Sequence, residues 1–259
     1  MDIREHNRLA WDKQVQDGSP WTTPVTFELV DAARKGRWEI FLTPTKPVPS
    51  EWLPNIQGRR ILCLAGAGGQ QGPILAAAGA TVTVLDNSRK QLEQDQLVAK
   101  REGLLVTTIQ GDMANLEMFS SQSFDVIVHP VSNCFVPDVR PVWREAFRVL
   151  CRHGVLISGF NNPVVYLFDQ GITGRDGSLE VKHVLPYADV DSLTDEARRR
   201  YQIEEIPFEF SHTLESQIAG QITAGFVLTG FYEDHDREDQ LNLLNKYTST
   251  YIATRAMKP

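Results

Sequence analysis

Between residues 60 and 160 short apolar runs alternate with longer amphipathic ones. Arg60-Ile61-Leu62-Cys63-Leu64-Ala65 is apolar after its first position, the pattern of a strand covered on both faces. Thr81–Leu85, Leu104–Ile109, Phe124–Val128 and Val155–Ser158 predict further strands. The intervening segments predict helices. Pro73–Ala78 carries proline in its first turn and stops at Gly79, and Pro141–Leu150 leads into the last of these strands. In Ser88–Glu102, Ser88 with Gln91 makes a capping box and Gly103 supplies the stop. This alternation implies a parallel sheet wound through right-handed crossovers, an α/β fold.

The flanks break the rhythm. Residues 1–58 predict a helical cap bearing tryptophan, with Ile3, Leu9 and Trp11 on one face of a first helix. The turn Asp17-Gly18-Ser19-Pro20 cuts that helix off. A second helix, Phe27–Lys35, closes at Gly36, and the prolines of Thr43–Pro49 exclude helix and central strand. Residues 161–213 predict an insertion in which two β-rich stretches, Val181–Tyr187 and Ile206–Ser211, flank a polar helix. The core resumes over 214–259 with a helix at Leu214–Ala224 and strands at Phe226–Tyr232 and Tyr251–Arg255. The core proper is 59–160.

Composition narrows the function classes. A formal charge of -7 argues against a sequence-independent grip on nucleic acid, which needs a dense Lys/Arg surface. The three cysteines form no C-x-x-C pair and the histidines no H-x-x-x-H pair, so neither a disulfide framework nor a metal site is expected. The charged N-terminal segment lacks the apolar stretch of a signal peptide, and no run reaches membrane-spanning length; a cytoplasmic location is expected. Nothing in the composition fixes the oligomeric state.

Candidate chemistry gathers at the predicted strand ends. Four glycines fall within residues 66–72, where a strand meets a helix. Such a turn lets a ligand approach the backbone, with helix N–H groups facing its anionic end. Asp86 ends the next strand at the position from which a carboxylate accepts ribose hydroxyls, although Asp86-Asn87-Ser88 equally suits a helix cap. Gln110-Gly111-Asp112-Met113 ends the third strand and Phe124-Asp125-Val126-Ile127-Val128-His129-Pro130 carries the fourth. In open α/β sheets ligands bind at this carboxyl edge, so these strand ends form one cleft.

This series, continued by Arg148-Val149-Leu150-Cys151-Arg152-His153-Gly154-Val155-Leu156, resembles the ordered motifs of class I S-adenosylmethionine-dependent methyltransferases over residues 58–160. The resemblance implies a Rossmann-like, doubly wound seven-stranded sheet with the last strand antiparallel, and S-adenosyl-L-methionine as cofactor. It places the glycine turn (Ala65, Gly66, Gly68, Gly69, with Gln70 and Gln71) at the methionine portion of that donor. Asp86, with Asn87 and Gln91 beside it, falls at the ribose; Asp112 and Met113 at the adenine; His129 and Pro130 on the same edge. The first motif departs from the family's pattern: Cys63 stands where an acid is usual, and Ala65 and Ala67 where the first two glycines are usual. A rebuilt turn, with Gln70 and Gln71 bonding the methionine end, is the expectation.

Methyl transfer from a sulfonium asks the protein for alignment, desolvation and, for a poorly ionised acceptor, a base. His129 is the candidate base by position; a histidine held by backbone or cofactor is the plainer alternative. Trp11, Trp21, Ser132, Asn133, Asn161 and Tyr166 are candidates for binding an acceptor under the cap and the insertion, which implies a small molecule. A nicotinamide-dependent oxidoreductase also suits the glycine turn and Asp86, but has no particular use for Gly111-Asp112-Met113. A module that binds the donor without turnover is the remaining alternative.

Overall fold

The computed structural model describes residues 1–168, 178–237 and 242–259. Seven strands form one sheet: β1 (Arg60–Leu64), β2 (Thr81–Asp86), β3 (Val106–Gln110), β4 (Phe124–His129), β5 (Leu150–Asn161), β6 (Val227–Asp234) and β7 (Tyr251–Met257). Their spatial order is 3-2-1-4-5-7-6, and β7 runs antiparallel to both β5 and β6. The helices are α1 (Ile3–Gln16), α2 (Phe27–Arg34), α3 (Gln71–Ala77), α4 (Arg89–Glu102), α5 (Arg140–Val149), α6 (Asp189–Ser192), α7 (Asp195–Glu204) and α8 (Gly220–Ala224).

Side-chain alternation along the strands divides the core in two. Ile61, Cys63, Val82, Val84, Val126 and Val128 pack with Ile74 and Leu75 of α3, Leu92 of α4, and Ile40, Leu42 and Trp52 of the N-terminal segment. On the other face Leu62, Leu64, Leu85, Ile127 and Leu156 pack with Val142, Trp143, Ala146 and Val149 of α5. Because β2 and β4 flank β1 in parallel, the chain leaves β1 at the point where the winding reverses. The carboxyl ends of β1 to β4 therefore share one edge.

Two expectations need correction. Helix α1 buries Asn7 and Ala10 while Leu9 is exposed, because Asn7 bonds the backbone of Phe135 and Phe208 and so turns its own face inward. The stretches Val181–Tyr187 and Ile206–Ser211 form no named strand; beside them an isolated Ala188–Phe210 bridge and the Glu209 N–H to the Asp189 carboxylate join the two sides of the insertion. Phe210 instead donates its N–H to the Cys134 carbonyl, which draws the second stretch onto the core. The helix expected over Leu214–Ala224 is present, its first part a π-helical turn, Glu215–Ala219, that runs into α8. There the Trp143 indole N–H donates to the Ser216 carbonyl.

The cap is fastened across the sheet. Asp234, at the end of β6, accepts the backbone N–H groups of Thr45 (2.9 Å) and Lys46 (3.0 Å) and the Thr45 hydroxyl, which anchors the proline-bearing loop. Leu42 crosses β5 so closely that a Cβ on Gly159 would lie 2.3 Å from its carbonyl oxygen. Gly159→Ala is expected to force this crossing apart and to lower the unfolding free energy by about 1–3 kcal/mol, read by denaturant titration.

Candidate functional site

The turn after β1 takes its shape from three residues in the left-handed region: Ala65 (φ 47°), Gly68 (φ 112°) and Gly69 (φ 74°). A side chain at 69 would also meet the Gln94 carbonyl oxygen at 2.9 Å, so α4 leaves room only for glycine. The N–H groups of Gly68 and Gly69 both turn inward to Asp95 Oδ2, at 2.9 and 3.0 Å. That of Ala67 lies 3.4 Å from Asp86 Oδ2.

Above the turn opens a cavity of about 1280 Å³. Its sheet side is formed by Ala65, Gly66, Ala67, Asp86, Asn87, Gln91, Asp112, Met113 and Pro130. The cap supplies Trp11, Trp21, Trp38 and Phe41. On the β5–β7 side stand Ser132, Asn161, Glu209 and Tyr251.

Asp86 faces the cavity and accepts the Ser88 N–H at 2.8 Å, while Ser88 itself caps α4 by accepting the Gln91 N–H. Burial pushes its carboxyl up to about 6, against the opposing pull of the Ser88 and Ala67 N–H groups. Asp112 accepts the Ala114 N–H at 2.8 Å and lies 3.9 Å from the Arg4 guanidinium of α1. Gln91 Oε1 is buried without a hydrogen-bond partner. The lining thus presents two carboxylates, already held by backbone N–H groups, and one unpartnered amide oxygen, acceptors that suit a ligand bearing hydroxyls and amines.

Residues 62–158 match the methyltransferase domain family. A relative in Bacillus subtilis (strain 168), the uncharacterized methyltransferase YbaJ, is 53% identical over 253 residues, 98% of this chain and 97% of the relative. The chain belongs to the class I S-adenosylmethionine-dependent methyltransferases. A structure from Mesorhizobium loti, an S-adenosylmethionine-dependent methyltransferase, shares the fold (TM-score 0.62, 18% identity, covering 80% of this chain and 94% of that one). So does a Listeria monocytogenes structure described as a putative S-adenosylmethionine-dependent methyltransferase (TM-score 0.64, 16% identity, 81% and 94%). The protein is thus an enzyme that uses S-adenosylmethionine as methyl donor.

Several candidates do not reach the cavity of this methyltransferase. His129 is fully buried beneath β4, edge-on to Trp143. Its Nδ1 lies 2.8 Å from the Leu64 carbonyl oxygen, which can only accept, so Nδ1 carries the proton. Nε2 is left buried without a partner. Burial lowers the imidazole to about 4, although the Leu64 carbonyl favours the charged form. Sealed from the cavity and reluctant to take up a proton, the ring cannot serve as its base, which corrects that expectation. Asn133 is buried in an amide pair with Gln217 (3.0 and 3.2 Å). Tyr166 is buried behind the wall, accepting from Asn161 and donating to Glu209, each at 2.7 Å. Gly68 and Gly69 are turned towards Asp95 and away from the cavity lining.

Gln70 and Gln71 line the cavity, yet their amides are engaged elsewhere. Gln70 donates to the Thr23 carbonyl at 3.0 Å. Gln71 both accepts from the Phe41 N–H (3.2 Å) and donates to the Phe41 carbonyl (2.9 Å). The rebuilt turn spends these side chains on holding the cap.

Sequence reading missed Arg4, Asp12, Asp95 and Glu209. Asp12 accepts the Ser88 hydroxyl (2.6 Å) and the Lys90 N–H (3.1 Å), docking α1 on the start of α4. Asp95 did leave a trace: it stands in the buried stripe Leu92, Asp95, Val98, Ala99 of an otherwise polar helix.

The His129 assignment is testable. The imidazole should remain neutral above about pH 5 when followed by nitrogen NMR, where an exposed ring titrates near 6.5. Because its folded value lies below its unfolded one, the stability it confers is present above pH 6.5 and is lost as pH falls towards 4.

Proposed function

We propose that the cavity receives the donor's adenosine across the ends of β1 to β4, with Asp86 at the ribose and Asp112 with Met113 at the adenine. The acceptor then occupies the β5–β7 side. The observation that carries this reading is the common cavity itself: Ala65–Ala67, Asp86, Asp112 and Met113, drawn from three strand ends, open onto the same space. At about 1280 Å³ it exceeds the roughly 300–1,000 Å³ of a pocket for one drug-sized ligand, which leaves room for a second molecule beside the donor.

The donor brings an already activated methyl group; the protein's own residues supply placement and exclusion of water. Trp11, edge-on to Phe135, and the Arg237 guanidinium 5.7 Å from the Trp21 ring form an aromatic roof. Ser132, Asn161 and Glu209 line the β5–β7 side, where an acceptor would meet them. We read the acceptor as a small molecule, because the cap crosses the cavity and the chain's charge of -7 supports no grip on a polyanion. No helix among the described residues is long and apolar enough to cross a membrane. All three cysteines are free, which suits a reducing compartment, and we place the enzyme in the cytoplasm.

Isothermal titration with S-adenosylmethionine tests the donor site. Asp86→Ala and Asp112→Ala should each weaken binding by about tenfold or more, the size of one lost charge-assisted hydrogen bond. Unchanged affinity in both would place the donor elsewhere. Wild-type affinity should fall as pH drops through about 6, where protonation removes an acceptor oxygen from Asp86, and Asp86→Ala should lose that dependence. Incubating the enzyme with methyl-labelled donor and fractionated cell extract should put label into small molecules. Label confined to RNA or protein would overturn the acceptor reading.

A further inference from the structure

Helix α4 carries a carboxylate that the donor site as proposed above does not use. Asp95 is fully buried. Its Oδ2 accepts the N–H groups of Gly68 and Gly69, while its Oδ1 has no hydrogen-bond partner. Among the described residues no Lys or Arg pairs with it; its charged neighbour is Asp86. Burial pushes its carboxyl up to about 7, the two glycine N–H groups pull it down, and Asp86 raises it further. A buried acid so placed costs stability unless the contacts it makes are needed.

The surroundings are cut to admit it. A Cβ on Gly72 would lie 3.0 Å from Asp95 Oδ1 and 2.8 Å from a Val84 methyl. Cys63, near the end of β1 where the family's pattern usually has an acid, is close enough for Asp95 to raise its thiol, adding to the larger effect of burial. A carboxylate at both places would set two like charges in one dry pocket. The turn therefore takes its acid from α4 and not from β1.

We propose that Asp95 is the positioning residue that holds the glycine turn in the shape that receives the methionine portion of the donor. The two N–H groups it binds belong to the two glycines in the left-handed region, the points where the turn would otherwise relax. With them fixed, Ala65, Gly66 and Ala67 face the cavity in a single arrangement. Asp95 itself touches no ligand.

This inference rests on the donor placement proposed above, and one titration series separates the two. The probes are S-adenosylhomocysteine, which carries the amino-acid tail, and methylthioadenosine, which lacks it. Asp95→Ala should weaken S-adenosylhomocysteine by about tenfold or more, from the loss of an ionic acceptor, and leave methylthioadenosine within about threefold. Asp95→Asn, which keeps an acceptor oxygen, should recover most of the lost affinity. Circular dichroism confirms that each variant is folded. Asp95→Ala with unchanged S-adenosylhomocysteine binding, an equal loss for both ligands, or no recovery in Asp95→Asn would each overturn the assignment. Asp86→Ala is the control for the donor placement and should weaken both ligands; if it weakens neither, that placement fails and the role of Asp95 falls with it.

Discussion

A backbone turn whose N–H groups face inward must find acceptors there or lose free energy comparable to the hydrogen bonds it forgoes. In this methyltransferase that constraint falls on residues 65–69, where the winding of the sheet reverses. Leu85, Asp86 and Asp95 meet it between them, accepting from Ala65, Ala67 and the two glycines. Both carboxylates come from the β2–α4 unit, so the turn, the next strand and the next helix form one hydrogen-bonded block. The cavity is the outer surface of that block.

The cap depends on the same block. Asp12 seats α1 on the first turn of α4, and the side chains of Gln70 and Gln71 reach out from the start of α3 to the cap's backbone. Residues that read in the sequence as ligand contacts are here structural ties between a roof and its wall. The function of the cavity is served indirectly, by keeping water out and the aromatic side chains in place.

Strand and helix periods were legible because burial on both faces leaves apolar runs and burial on one face leaves stripes. The core strands other than β5, and helices α3 to α5, could be placed to within a few residues from those patterns; β5 runs Leu150–Asn161, well beyond the expected Val155–Ser158. The insertion was harder. Ile206–Ser211 has strand composition but pairs through a single bridge and lies against Cys134, a choice made by tertiary contacts and invisible to local propensity. The site was legible where chemistry sits at a strand end, as at Asp86 and Asp112, because topology carries those positions to one edge. It was illegible where a side chain's direction decides: His129 ends β4 and Asn133 lies just past it, yet both point into the interior. Glu209 arrives from a segment 80 residues away, and nothing in its neighbourhood of sequence announces it.

The two margins of the roof are held by different physics. Along Gln70 and Gln71 the ties are neutral amides to backbone, which dissolved ions scarcely affect. Along α1 they include the Arg4–Asp112 ion pair, charges near the surface whose attraction fades as the ionic atmosphere thickens. Concentrated electrolyte would therefore loosen the covering from its Asp112 margin first, while the margin over the glycines stays closed.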